Sequence, residues 1–76
     1  MNIEEIGHKI RRRRKDLGVD QQSLAEFAEV SVHTLSDIES GKGNPTLETL
    51  EAVLDVLGLE LAVQTKKGPG RAGKSQ

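Results

Sequence analysis

The sequence predicts an all-α domain of four short helices followed by one β-strand, and three observations carry that prediction. Apolar residues recur at three- and four-residue spacing in four separate windows. A capping residue with a side-chain oxygen opens three of those windows, and glycine closes three of them. After Gly58 the apolar period drops to two, the period of a strand.

The first helix carries Ile3, Ile6, Ile10 and Leu17 on one stripe and ends at Gly18, with Arg13 or Arg14 interrupting the stripe. Asp20 caps the second helix, where Leu24, Phe27 and Ala28 share a face at i, i+3 and i+4. Ala25 is small where another helix has to come close, and Val30 plugs the corner. Ser31 caps the third helix, Leu35 and Ile38 mark its inward side, and Gly41 stops it. Gly41-Lys42-Gly43-Asn44-Pro45 is too rich in breakers to be anything but a loop. Thr46 caps the fourth helix, whose apolar positions are Leu47, Leu50, Val53, Leu54 and Leu57, and Gly58 closes it.

Beyond it, Leu59, Leu61 and Val63 alternate with Glu60, Ala62 and Gln64. A lone strand leaves its backbone groups unpaired, and the economical partner is the same strand of a second copy; the alternative is a short extended tail that packs without pairing. Leu59, Leu61 and Val63 are therefore the expected dimerisation residues of a homodimer. The expected organisation is a helix-turn-helix domain over 1–58, a dimerisation strand over 59–67, and a glycine-rich, disordered basic tail over 68–76.

Seventy-six residues hold one small core, which disfavours an enzyme with a large pocket. The chain has no cysteine, no apolar run of about 18 residues and no signal-peptide pattern, so a cytoplasmic protein away from the membrane is expected. The formal net charge is −1, but its distribution is uneven. Six of the seven residues from Lys9 to Lys15 are basic, four more basic residues lie from Lys66 to Lys74, and eight acids lie between Gln21 and Glu60. Basic ends of this kind suit phosphates.

Two short helices joined at a tight corner, from Gln21 to Gly41, form a helix-turn-helix, whose second helix enters the major groove of double-stranded DNA. The outward side chains early in that helix are Val32, His33 and Thr34, with Asp37 one turn on. Val32 suits a thymine methyl, His33 a guanine or a phosphate, and Asp37 a cytosine amino group. An acid in the groove also repels phosphates, which makes Asp37 the residue most at odds with DNA binding. Gln22 and Ser23 in the first turn of the second helix, Lys42 and Asn44 in the loop, and Arg13 are candidates for phosphate contacts.

Gly68 to Ser75, GPGRAGKS, matches the phosphate-loop pattern letter for letter. The chemistry needs a helix leading out of the loop to cradle the phosphates, and here one residue follows the serine, so nucleotide binding is not expected. His8 and His33 make no zinc spacing, and no serine or threonine stands in a nucleophile motif. No catalytic residue, metal or cofactor is expected, and the chain reads as a non-enzyme.

Residues 7–57, through LGVDQQSLAEFAEVS, VHTLSDIESGKGNP and TLETLEAVLDVLG, resemble the helix-turn-helix family of phage repressor and Cro proteins, the XRE type. The resemblance implies a lambda-repressor-like fold, a structural ion pair between Arg14 and Glu39, and DNA contacts at Gln22, Val32, His33, Thr34, Asp37, Lys42 and Asn44. Arg14 is then scaffold, leaving Arg11, Arg12 and Arg13 as exposed candidates. One departure is Glu29 at a corner usually held by glycine; a left-handed backbone there costs roughly 1 kcal/mol. The ending GLELAVQTKK resembles the HipB-like antitoxin branch, which implies a strand paired across the dimer and a HipA-like kinase toxin as partner. The leading expectation is a repressor of a palindromic operator that also neutralises a toxin in a toxin-antitoxin system; the alternatives are a stand-alone repressor and an interaction module that does not bind DNA.

Overall fold

The computed structural model describes residues 2–65, 67 and 68. Four helices follow in order: α1 (Ile3–Asp16), α2 (Gln21–Ala28), α3 (Val32–Ser40) and α4 (Leu47–Leu57). Each begins at a side-chain cap. Asp20 Oδ1 accepts from the Ser23 amide at 2.7 Å, Ser31 Oγ from Thr34 at 3.0 Å and Thr46 Oγ1 from Thr49 at 3.1 Å. Asn2, which sequence reasoning passed over, accepts from Glu5 at 2.9 Å and so opens α1.

All four helices end the same way. The residue in left-handed backbone is Gly18, Glu29, Gly41 or Gly58, and the amide after it reaches back five residues, as Val30 does to the Ala25 carbonyl at 2.9 Å. At three corners that following residue is apolar (Val19, Val30, Leu59) and packs on the core. After α3 it is Lys42, which stays exposed. The same turn that staples three corners inward thus puts a cation outward beside α3.

Glu29 has φ 58° and ψ 42°, so the corner keeps its left-handed shape without glycine. Glu29→Gly is expected to raise stability by about 1 kcal/mol, seen as a rise of a few degrees in Tm; an unchanged or lower Tm would show that the corner carries no strain.

Ile10, Leu24, Ala25, Ala28, Leu35, Ile38, Leu50, Val53, Leu54 and Leu57 form the core. α1 packs chiefly on α3, and α4 chiefly on α2. Gly7 sets the α1–α3 approach: a Cβ there would overlap the Ile38 carbonyl oxygen, so the two backbones touch. Three apolar expectations are corrected. Phe27 is 72% exposed, Leu47 61% and Leu17 47%. At about 100° per residue, Phe27 falls roughly 100° from the middle of the buried face made by Leu24, Ala25 and Ala28. Leu47 is the first residue of α4 and projects past the core, while Leu17 lies in the corner after α1, where Arg14 has taken the last inward place.

Among the described residues no strand forms within the chain. Leu59 and Leu61 lie partly buried on the core and Val63 is fully exposed. The tail over 68–76, with its phosphate-loop pattern, lies outside the described residues apart from Gly68, as does Lys66 of the expected strand.

Candidate nucleic-acid interface

A buried ion pair fixes α3 to α1. Arg14 Nε donates to Glu39 Oε2 at 2.7 Å and Arg14 Nη2 to Oε1 at 2.9 Å, a parallel fork that matches the planar guanidinium to the carboxylate. Arg14 is 8% exposed and Glu39 7%. Arg14 Nη1 also donates to the Val19 carbonyl at 2.9 Å, and Gln21 Nε2 donates to Glu39 Oε1 at 3.1 Å, so the first residue of α2 joins the pair. The Glu39 carboxyl is held below the usual glutamate range. Burial opposes its charge, but the hydrogen bonds from Arg14 and Gln21 and the charges of Arg14 and Arg11 outweigh burial. The guanidinium of Arg14 is shifted upward, first by the hydrogen bond to Glu39. With Arg11, Ser36 and Ser40, these three side chains line an open polar depression of about 450 Å³.

Against this scaffold α3 turns its early side chains outward. Val32 and His33 are exposed, and Thr34 and Asp37 are partly exposed. The Thr34 hydroxyl accepts from Ser31 Oγ at 2.9 Å, which holds it at the helix start. His33 Nε2 lies 3.4 Å from Asp37 Oδ2 across one turn. Asp37 therefore has a local partner on its own helix. Thr34, Asp37, Lys42 and Asn44 border one shallow hollow of about 160 Å³, which brings two of the four predicted base-reading residues together with the predicted loop contacts; Val32 and His33 lie outside it.

The start of α2 is less open to a phosphate than its sequence suggests. The Ser23 amide is taken by Asp20, whose carboxyl is held low first by that backbone hydrogen bond and then by the Ser23 hydroxyl. Gln22 is exposed and Ser23 partly so. Arg13 is exposed, and its Nε donates to the Leu57 carbonyl at 2.9 Å, so it also caps the end of α4. Sequence reasoning missed this use of Arg13, the part played by Gln21, and Gly7. For Gly7 a signal was present: an isolated glycine within an otherwise regular apolar stripe marks a close approach.

The chain is similar to the immunity repressor protein of Bacillus phage phi105, at 42% identity over 57 residues, and to the HTH-type transcriptional regulator DdrOP3 of Deinococcus deserti, at 37% over 55 residues. These matches cover 75% and 72% of the chain, which itself spans 40% and 43% of the length of those relatives. Among solved structures, the clp gene regulator ClgR from Corynebacterium glutamicum superposes with a TM-score of 0.70 at 37% identity, over 75% of this chain and 61% of that one. The restriction-modification controller protein C.AhdI from Aeromonas hydrophila superposes with a TM-score of 0.71 at 22% identity, over 76% and 88%, and shows the shared fold. A family profile described as helix-turn-helix matches residues 10–64. Sequence, corner geometry and fold agree, and the chain belongs to the helix-turn-helix family.

Proposed function

We propose that this chain is a sequence-specific DNA-binding transcriptional repressor that acts in the cytoplasm as a homodimer on a palindromic operator. One observation carries the reading: Val32 and His33 are exposed at the start of α3, and Thr34 and Asp37 beside them share a single hollow with Lys42 and Asn44. An α-helix fits the major groove, its first turns reach base edges, and cations beside it hold the phosphates. Exposed Gln22 at the start of α2 is the further phosphate contact, with Ser23 beside it joining only where Asp20 releases its amide. Among the similar proteins, one is named an immunity repressor and another a transcriptional regulator, which supports the same role here. Two copies would place their α3 helices about 34 Å apart, one turn of DNA.

His33→Ala is expected to weaken binding to the operator by roughly 1–3 kcal/mol while leaving scrambled duplex unaffected. Equal affinity of variant and parent for the operator would remove His33 from base reading.

The finer reading is an antitoxin of the HipB-like kind, which neutralises a HipA-like kinase and represses its own operon. Its support is the resemblance of residues 58–67, GLELAVQTKK. Co-expression with a kinase encoded beside it tests this: a stable complex and restored growth support the antitoxin, and unrelieved toxicity leaves a stand-alone repressor.

A further inference from the structure

We infer that Asp37 acts through His33: it holds the ring as an imidazolium in the groove, so that operator binding takes up a proton and His33 reads guanine. The inference rests on the DNA-binding reading above and gives Asp37 a positioning role there in place of a base contact.

His33 Nε2 lies 3.4 Å from Asp37 Oδ2, and the His33 side chain is 86% exposed against 39% for Asp37. The ring stands in the turn of α3 that reaches base edges first, and the carboxylate stands one turn behind it. An imidazole gains or loses its charge between about pH 5 and 8. While the ring is neutral the pair carries a single negative charge, which the phosphates on both sides of the groove repel; a second ring proton brings the pair to zero. Docking therefore favours the imidazolium twice, through Asp37 and through the phosphates. The amides at the start of α3 oppose a cation, by less than a carboxylate and a polyanion together favour it.

Among the described residues, Asp37 makes its one ion pair with His33. Lys42 borders the same hollow as Asp37 but stands beyond ion-pair distance of it. The charged groups that reach α3 from α1 lie farther along the helix: Arg11 and Arg14 beside Ser36, Glu39 and Ser40, and Glu4 beside Gly41. From α2, the neutral Gln21 reaches Glu39. Only His33 is placed to neutralise Asp37.

The proton also decides which base the ring can read. With Nε2–H directed at Asp37, a neutral ring offers the Nδ1 lone pair, an acceptor, whereas an imidazolium offers Nδ1–H, a donor. Guanine presents two acceptors, N7 and O6, in the major groove, so the charged ring pairs with it and the neutral ring does not.

The test is the affinity of the full chain for a duplex from its own upstream region, measured from pH 6 to 8.5 at constant ionic strength. That range lies above the acid region in which Glu39 and Asp20 lose their contributions, so the fold is constant across it. The parent's Kd should rise with pH, approaching about tenfold per unit, the limit for one proton. His33→Gln should lose the slope; the chain's other histidine, His8, lies on α1 and should not carry it. Asp37→Asn should bind more tightly than the parent at pH 8.5 and lose that advantage by pH 6, while Asp37→Glu restores the parent's slope. An Asp37→Asn advantage that is the same at every pH would make Asp37 a plain repulsive charge and overturn its role. Replacing guanines one at a time by 7-deazaguanine, which lacks the N7 acceptor, should reduce the slope at one position; an unchanged slope at every position removes guanine as the base read. Selective binding with a flat pH profile, or a slope that survives His33→Gln, overturns the inference and leaves the repressor reading intact. Absence of selective binding at every pH overturns both.

Discussion

Glu39→Gln is expected to lower stability by about 3 kcal/mol. Removing one partner of a buried ion pair leaves the other charged and unsatisfied, at a cost of roughly 3–5 kcal/mol. The low end applies because Arg14 and Glu39 border an open depression through which water can reach an abandoned guanidinium. At roughly 4–8 °C per kcal/mol for a domain of this size, Tm should drop by more than about 10 °C. The same pair sets an acid limit. The folded Glu39 carboxyl titrates below its unfolded value, so its contribution is complete above the ordinary glutamate pKa of about 4.3 and is lost as pH falls through the folded value. Asp20, also shifted down, adds to that acid loss. Arg14, shifted up from an already high value, keeps its contribution throughout the working range. Urea titrations at pH 7 and below pH 4 should therefore show the parent losing stability in acid and Glu39→Gln losing less. A cost under about 1 kcal/mol at pH 7 would show that the pair is solvated in solution.

Gly7→Ala should destabilise by about 2 kcal/mol, although alanine is the better helix former by about 1 kcal/mol. The added methyl would overlap the Ile38 carbonyl oxygen and stand 3.1 Å from the Glu39 carbonyl oxygen. Overpacking of this kind costs roughly 1–3 kcal/mol, and the upper end applies because the obstacle is α3 backbone with no rotamer to change. Relief requires moving α3, the helix that presents His33. Gly7→Ala should thus weaken operator binding more than scrambled-duplex binding at a temperature where both proteins stay folded. A gain in stability near the 1 kcal/mol of helix propensity would mean that α1 and α3 do not meet at Gly7.

The elements legible in the sequence were those with local causes. Asp20, Ser31 and Thr46 as caps, and Gly18, Gly41 and Gly58 as stops, act within one turn, and each stands where its residue type predicts. The left-handed corner at Glu29 was legible as a departure from glycine, and the structure keeps the corner. The Arg14–Glu39 pair, 25 residues apart, was legible through family resemblance alone, since spacing cannot select one acid among many. Arg13 turned out to be a cap for a helix 44 residues away, a contact no local pattern encodes. The i+3 spacing from Leu24 admits Phe27 to the inward face; the rotation of α2, set by Ala25 and Ala28 against the core, turns it out. Of the site itself, the outward set on α3 was legible, and its neighbourhood with Lys42 and Asn44 emerged only with the fold.

On the proposed function, the α3 surface reads duplex DNA. The most direct test is a titration of the full chain into a labelled duplex from its own upstream region at two salt concentrations, beside a scrambled duplex. The predicted result is binding at two chains per site, selective over the scrambled sequence and weakening steeply with salt as phosphate contacts release counterions. Absence of selective, salt-sensitive binding at micromolar protein would contradict it.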